Sequence, residues 1–163
     1  MKPTGGFSHI GVSTHDMEMT RTFYESVLGF PRVVDEMTHV SQGGRLRQVY
    51  FDVGGGQYIV FMEPKRVPGI SDDYDTGING ALGVPAGMYH FALRAETLEE
   101  LEVRRASLVA HEVDVSEIID LGTARSIFFA DPNNIQVEIC CHTRPFDASD
   151  LERVTDATVA LPD

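Results

Sequence analysis

The chain has 163 residues, 42% of them hydrophobic, enough for one ordinary domain or two small modules sharing a core. Its 13 basic and 25 acidic side chains leave a net charge of −12, which would repel phosphate backbones and excludes nucleic acid as an expected partner. No apolar run is long enough to span a bilayer and no apolar stretch follows Lys2, so neither a membrane partner nor a secretory signal is expected, and the expected compartment is the cytoplasm.

The first alternating segment, Phe7-Ser8-His9-Ile10-Gly11-Val12, predicts a strand. Residues 16–28 predict a helix with Met17, Phe23, Tyr24, Val27 and Leu28 on one face, acidic Asp16 and Glu18 in its first turn, and Gly29 placed to end it. Strands are then predicted over 32–36, 47–53 and 57–62, the last two joined by Gly54-Gly55-Gly56. Residues 64–87, rich in glycine and proline, read as a connector, with a lid over a pocket as the sharper alternative.

The pattern then restarts. Met88-Tyr89-His90-Phe91-Ala92-Leu93 predicts a strand, and Thr97 with Glu100 at capping-box spacing opens a helix carrying Leu98, Leu101, Leu108 and Val109 to about residue 110. Strands are predicted over 112–119, 124–130 and 135–141, the last two joined by Asp131-Pro132-Asn133-Asn134. The acidic tail 143–163 is expected to hold a short helix near residues 149–156. The order β-α-β-β-β therefore occurs twice, as modules 1–63 and 88–142 flanking the connector, the two together forming one domain.

Strand alternation separates the side chains by face. His9 opposes the apolar Ile10 and Val12, His90 opposes Phe91 and Leu93, and Glu138 opposes Val137 and Ile139. The repeat aligns His9 with His90, Phe51 with Phe129, and Val60 with Glu138. Face-to-face modules would bring four equivalent positions together, three with metal-ligand side chains and the fourth a valine. Two imidazoles and one carboxylate hold a divalent cation and leave positions open for water or substrate. His15, His39, His111 and His142 read instead as surface or capping residues, and the adjacent Cys140 and Cys141 as reduced packing residues whose side chains point to opposite faces.

At these residues the chain resembles the vicinal oxygen chelate superfamily, which includes glyoxalase I, extradiol dioxygenases, methylmalonyl-CoA epimerases and the fosfomycin- and bleomycin-resistance proteins. The matching segments are Phe-Ser-His-Ile-Gly-Val, Phe23-Tyr24-Glu25-Ser26-Val27-Leu28-Gly29-Phe30, Tyr-His-Phe-Ala-Leu, and the run from Phe129 through Asp131-Pro132-Asn133-Asn134 to Glu138, together covering residues 7–142. The resemblance implies an α+β fold of paired βαβββ modules, a metal-holding cup of mixed sheet with helices on the outer face, and a homodimer. It implies His9, His90 and Glu138 as ligands of one divalent metal, Fe(II) or Mn(II) ahead of Zn or Ni.

Two departures narrow the reaction. Glyoxalases and epimerases generally carry a fourth ligand where this chain has Val60, and Glu63 has the wrong parity to replace it. Extradiol dioxygenases usually carry a tyrosine where this chain has Phe128. The expectation is a dioxygenase-like enzyme acting on a small oxygen-bearing substrate, with Tyr50, Tyr58, Val60 and Phe128 shaping the pocket. The alternatives are a non-catalytic drug- or metabolite-binding protein, or a lyase or isomerase of glyoxalase type.

Overall fold

The computed structural model describes residues 5–152 and divides into two units, Met1–Gly77 and Ile78–Asp163. In the first, the predicted alternation yields strand β1 (His9–Ser13). Helix α1 (Met17–Arg21) begins where the Asp16 carboxylate accepts the Met19 amide at 2.9 Å, which satisfies one of the orphan donors of the first turn.

The predicted single helix over 16–28 is corrected in its second half, which is a π-helical turn, Thr22–Val27, closed by the Leu28 amide on the Phe23 carbonyl. Widening the turn by one residue lets the adjacent Phe23 and Tyr24 both be buried. Tyr24 is fully buried, its ring 5.2 Å from Phe51 and 4.8 Å from Phe61. Gly29 ends the helix at φ +74°, as its position predicted.

Strands β2 (Arg32–His39), β3 (Arg45–Gly54) and β4 (Gln57–Lys65) follow, each longer than predicted at one end or both. The sheet order is β1-β4-β3-β2, with β1 and β4 parallel and the other pairs antiparallel. The β3–β4 turn needs glycine: Gly54, Gly55 and Gly56 all have positive φ.

A chain of ion pairs crosses the helix-covered side of this sheet. The Arg47 guanidinium on β3 donates to both oxygens of Asp35 on β2 at 2.9 Å and to Glu18 on α1 at 2.7 Å. Arg47, and then Arg32, hold the Asp35 carboxyl down at about 2. The folded value lies below the unfolded one, so the stabilisation is complete above about pH 4 and disappears as pH falls through about 2. Discounted for solvent screening, Asp35→Asn will cost about 1 kcal/mol near neutral pH. Urea unfolding of the variant and parent will converge as the buffer approaches about pH 2.

The second unit opens with the short helix α2 (Ile78–Leu82), inside the predicted connector, followed by β5 (His90–Arg94). Helix α3 (Leu98–Ala110) is capped by the Thr97 hydroxyl accepting the Glu100 amide at 3.1 Å, while the Glu100 carboxylate reaches back to the Glu96 amide at 2.9 Å. His111 caps its C-terminus by bonding the Ser107 carbonyl through Nδ1 at 2.8 Å.

The predicted strand 112–119 is largely absent: β6 comprises only Ile119–Asp120. Glu112 takes a left-handed φ of 59°, and the stretch meets its neighbour through one bridge between Val115 and Phe129 and the Ser116 amide on the Phe128 carbonyl. Strands β7 (Ala124–Ala130) and β8 (Gln136–His142) complete the sheet, in the order β5-β8-β7-β6 with β5 and β8 parallel. Their turn is an Asx turn in which Asp131 accepts the Asn133 and Ile135 amides.

Helix α3 packs on β7 and β8, where Leu101, Leu108, Ile127, Phe129, Val137 and Ile139 are all buried. Each unit is thus a βαβββ module with one sheet face under a helix. Cys140 and Cys141 are free thiols on opposite faces. Past β8, residues Ala148–Asp150 form one 3-10 turn and Leu151 and Glu152 a turn, while residues 153–156 of the helix expected at 149–156 lie outside the described residues. Among the described residues no helix is long and apolar enough to cross a membrane.

Candidate metal site

The face of the second sheet turned away from α3 carries His90, Ala92, Ser126, Phe128, Glu138 and Cys140. Parallel pairing sets Ala92 opposite Glu138, which brings the imidazole of His90, two residues earlier, against that carboxylate. His90 Nε2 lies 3.1 Å from Glu138 Oε2, and Glu138 is only 6% exposed. The other carboxylate oxygen accepts the fully buried Ser126 hydroxyl at 2.5 Å.

The far side of the imidazole fixes its chemistry. His90 Nδ1 is 2.8 Å from the Gly87 carbonyl, which can only accept, so Nδ1 carries the proton and Nε2 of the neutral ring presents a lone pair. Two acceptors therefore face each other at 3.1 Å, and the contact requires either a second proton or a cation. Two ligands at adjacent positions of one cation, each bonded at about 2.1 Å, stand about 3 Å apart. A metal-ligating histidine also commonly donates its second nitrogen to a backbone carbonyl. The His90–Glu138 pair fits a divalent metal on donor type, spacing and orientation alike.

Two supporting residues escaped the sequence reading. Ser126 aims the carboxylate. Asn79 of α2, itself buried, donates to the Tyr89 carbonyl and accepts the Tyr89 amide, both at 2.8 Å, and so holds the backbone immediately before His90. A serine on a strand and an asparagine in a stretch that reads as a connector carry no sequence signal of these roles. Phe128 lies edge-on to His90 with centroids 6.3 Å apart. Burial raises the Cys140 thiol, Ser126 lowers it and Glu138 raises it further, so Cys140 is held as a neutral thiol.

The first sheet repeats this register. Gly11 pairs with Val60 as Ala92 pairs with Glu138, His9 with Tyr58 as His90 with Gln136, and Tyr50 with Val60 as Phe128 with Glu138. His9 thus holds the equivalent position to His90, its Nδ1 3.2 Å from the Ser8 hydroxyl. Tyr50 stands 6.2 Å from the His9 ring and 6.3 Å from Tyr58, and Val60 is buried. Glu63 lies on the opposite, helix-covered side, where its buried carboxylate accepts the Met17 amide at 3.2 Å and pairs with Lys65 at 2.9 Å. That agrees with its parity. Among the described residues no group of three His, Cys, Asp or Glu is placed to bind a metal, and His90 with Glu138 is the pair of expected ligands seen in contact.

A family model described as Glyoxalase/Bleomycin resistance protein/Dioxygenase superfamily matches residues 6–139. Among solved structures, the chain is similar to lactoylglutathione lyase from Agrobacterium tumefaciens at 18% identity and TM-score 0.58, covering 85% of this chain and 95% of that one. It is similar to an antibiotic-binding protein from Streptomyces sp. CB03234 at 17% identity and TM-score 0.60, over 88% and 100%. A variant of the fosfomycin resistance protein of Listeria monocytogenes complexed with Mn(II) matches at 18% identity and TM-score 0.57, over 88% and 95%. At these identities the likeness concerns the fold. No curated protein matches the chain.

Proposed function

Because the chain belongs to the glyoxalase/bleomycin resistance protein/dioxygenase superfamily, we propose that it is a metal-dependent enzyme in which His9, His90 and Glu138 hold one divalent ion. Two imidazoles and one carboxylate favour Fe(II) or Mn(II), with Zn or Ni as further occupants. The observation that carries this reading is the lone pair of His90 Nε2 facing the buried Glu138 carboxylate, since only a proton or a cation reconciles them. The Mn(II) held by the Listeria relative supports the same class of ion.

Bound there, the ion would polarise a substrate presenting two adjacent oxygens, and iron would add the redox capacity for dioxygenase-like oxidation. The chain's own residues set the rest. Ser126 and the Gly87 carbonyl fix the two ligand side chains before any substrate arrives, which removes reorganisation from the binding step. Phe128 walls the His90 side with an aromatic edge that offers no proton. Val60 leaves the fourth repeat position without a ligand, which favours an open site over the four-ligand glyoxalase pattern.

Metal analysis of protein purified without chelator tests the proposal, with close to one equivalent of Fe or Mn expected. Less than about a tenth of an equivalent, together with no rise in melting temperature on adding Fe, Mn, Ni or Zn, would sink it. A second reading has its own support: the ring cluster of His9, Tyr50 and Tyr58 suits an aromatic ligand held without chemistry. Tight binding of an aromatic compound by metal-loaded protein that turns over no diol, 2-oxo acid or catechol would favour that reading.

A further inference from the structure

Two arginines, each already paired with a carboxylate, line one cavity of this acidic chain. An open cavity of about 450 Å³ in the second unit is lined by Arg94, His142, Thr143, Arg144, Pro145 and Phe146. Arg94 ends β5 and His142 ends β8, and the two strands run parallel, so both residues stand at the same end of the sheet. Alternation puts Arg94 on the face of His90 and Ala92, and His142 on the face of Glu138 and Cys140. Four residues at about 3.3 Å each set the Arg94 and His142 backbones about 13 Å along their strands from His90 and Glu138, and an arginine side chain can reach back over several ångströms of that span.

We propose that this cavity is the subsite for a small oxyanion, a carboxylate or phosphate group, carried by the same molecule whose other end meets the His90–Glu138 pair. That it serves the substrate rests on the metal-enzyme reading; that it binds an oxyanion does not. Arg144 is preset for the task. Asp150 grips it through both terminal nitrogens at 2.6 Å, the Pro145 carbonyl takes a third N–H at 2.9 Å and the Asp147 carboxylate stands 3.7 Å from Nη1, which leaves two of its five donors for a ligand. Arg94 is the more exposed partner: it pairs with Glu96 at 3.2 Å, but both side chains are about 70% exposed, and such pairs hold weakly. An incoming oxyanion competes well for a guanidinium, whose planar fork matches two oxygens. His142 adds a ring N–H, and Phe146, edge-on to it at 5.1 Å, supplies an apolar wall for the body of the ligand.

The test follows arginine Nε–Hε and histidine ring resonances of the full chain by NMR while inorganic phosphate or benzoate is titrated at constant ionic strength against chloride. Saturable shifts of Arg94, Arg144 and His142 are expected, with the stronger of the two probes naming the anion class. Arg94→Gln will weaken the titration about tenfold and Arg94→Lys will restore part of it. Arg94 is solvent-exposed, so neither change threatens folding. Shifts that stay linear and match those of chloride, or an Arg94→Gln titration equal to the parent's, would overturn the subsite. The same titration on Glu138→Gln, expected to be unchanged, keeps the two ideas apart, since loss of metal binding leaves this readout standing.

Discussion

Glu138→Gln will lower Mn(II) affinity at least about 100-fold while leaving the metal-free protein as stable as the parent or slightly more so. The two halves of that expectation come from one contact. In the parent, on the proposed reading, the carboxylate would supply the negative charge for a divalent ion, and the ion would relieve the opposition between Oε2 and His90 Nε2 at 3.1 Å. Glutamine keeps the shape. Its amide oxygen can still accept the Ser126 hydroxyl, and its NH2 can donate to the imidazole lone pair, so no buried polar atom is orphaned. Removing a charge from a site only 6% exposed also removes its desolvation cost, about 1 kcal/mol or less in a group so well bonded. Calorimetric titration with Mn(II) reads the first half and thermal melting without metal reads the second. A variant that binds Mn(II) within about threefold of the parent would remove Glu138 from the ligand set.

Much of this site could be read without coordinates because its information is local and periodic. A period of two placed His90 and Glu138 on one face, and the repeat made His9 the twin of His90, a relation that the strand registers reproduce pair by pair. Parity also excluded Glu63, and the structure finds it capping α1 on the other face. What escaped was non-local. Ser126 matters because β7 lies beside β8 in one register, and nothing in the run Ala-Arg-Ser-Ile-Phe says which carboxylate its hydroxyl will meet. Asn79 acts on Tyr89 ten residues away through a turn that no periodic pattern announces. The π-helical turn at Thr22–Val27 and the missing strand before β6 are the same kind of miss. In both, packing demanded a backbone path that local propensity does not encode: Phe23 and Tyr24 needed burial together, and Glu112 turns left-handed directly after α3.

Val60→Glu should be the most destabilising of these substitutions, and its pH dependence identifies the cause. Val60 is 2% exposed, and it is the register twin of Glu138 in the first unit. The surroundings are not equivalent. Where Glu138 has the Ser126 hydroxyl, the first sheet has Gln48, whose amide reaches toward Glu36 at 3.5 Å. A carboxylate at position 60 would therefore be buried without its donor, at a cost of about 3 kcal/mol or more and a drop in melting temperature near 10 °C. Burial raises the folded pKa of such a group above its unfolded value near 4.3, so the charge penalty is absent below about pH 4 and grows as pH rises until the folded value is reached. Val60→Gln, with similar bulk and no charge, will show a deficit that stays flat with pH. Added Mn(II) then discriminates. If position 60 is the fourth member of the repeat's ligand ring, Mn(II) will raise the melting temperature of Val60→Glu by more than it raises the parent's, because the ion would neutralise the added charge. Equal shifts in the two proteins would mean that Val60 stands outside the site, and that the valine reflects packing rather than a ligand position left open.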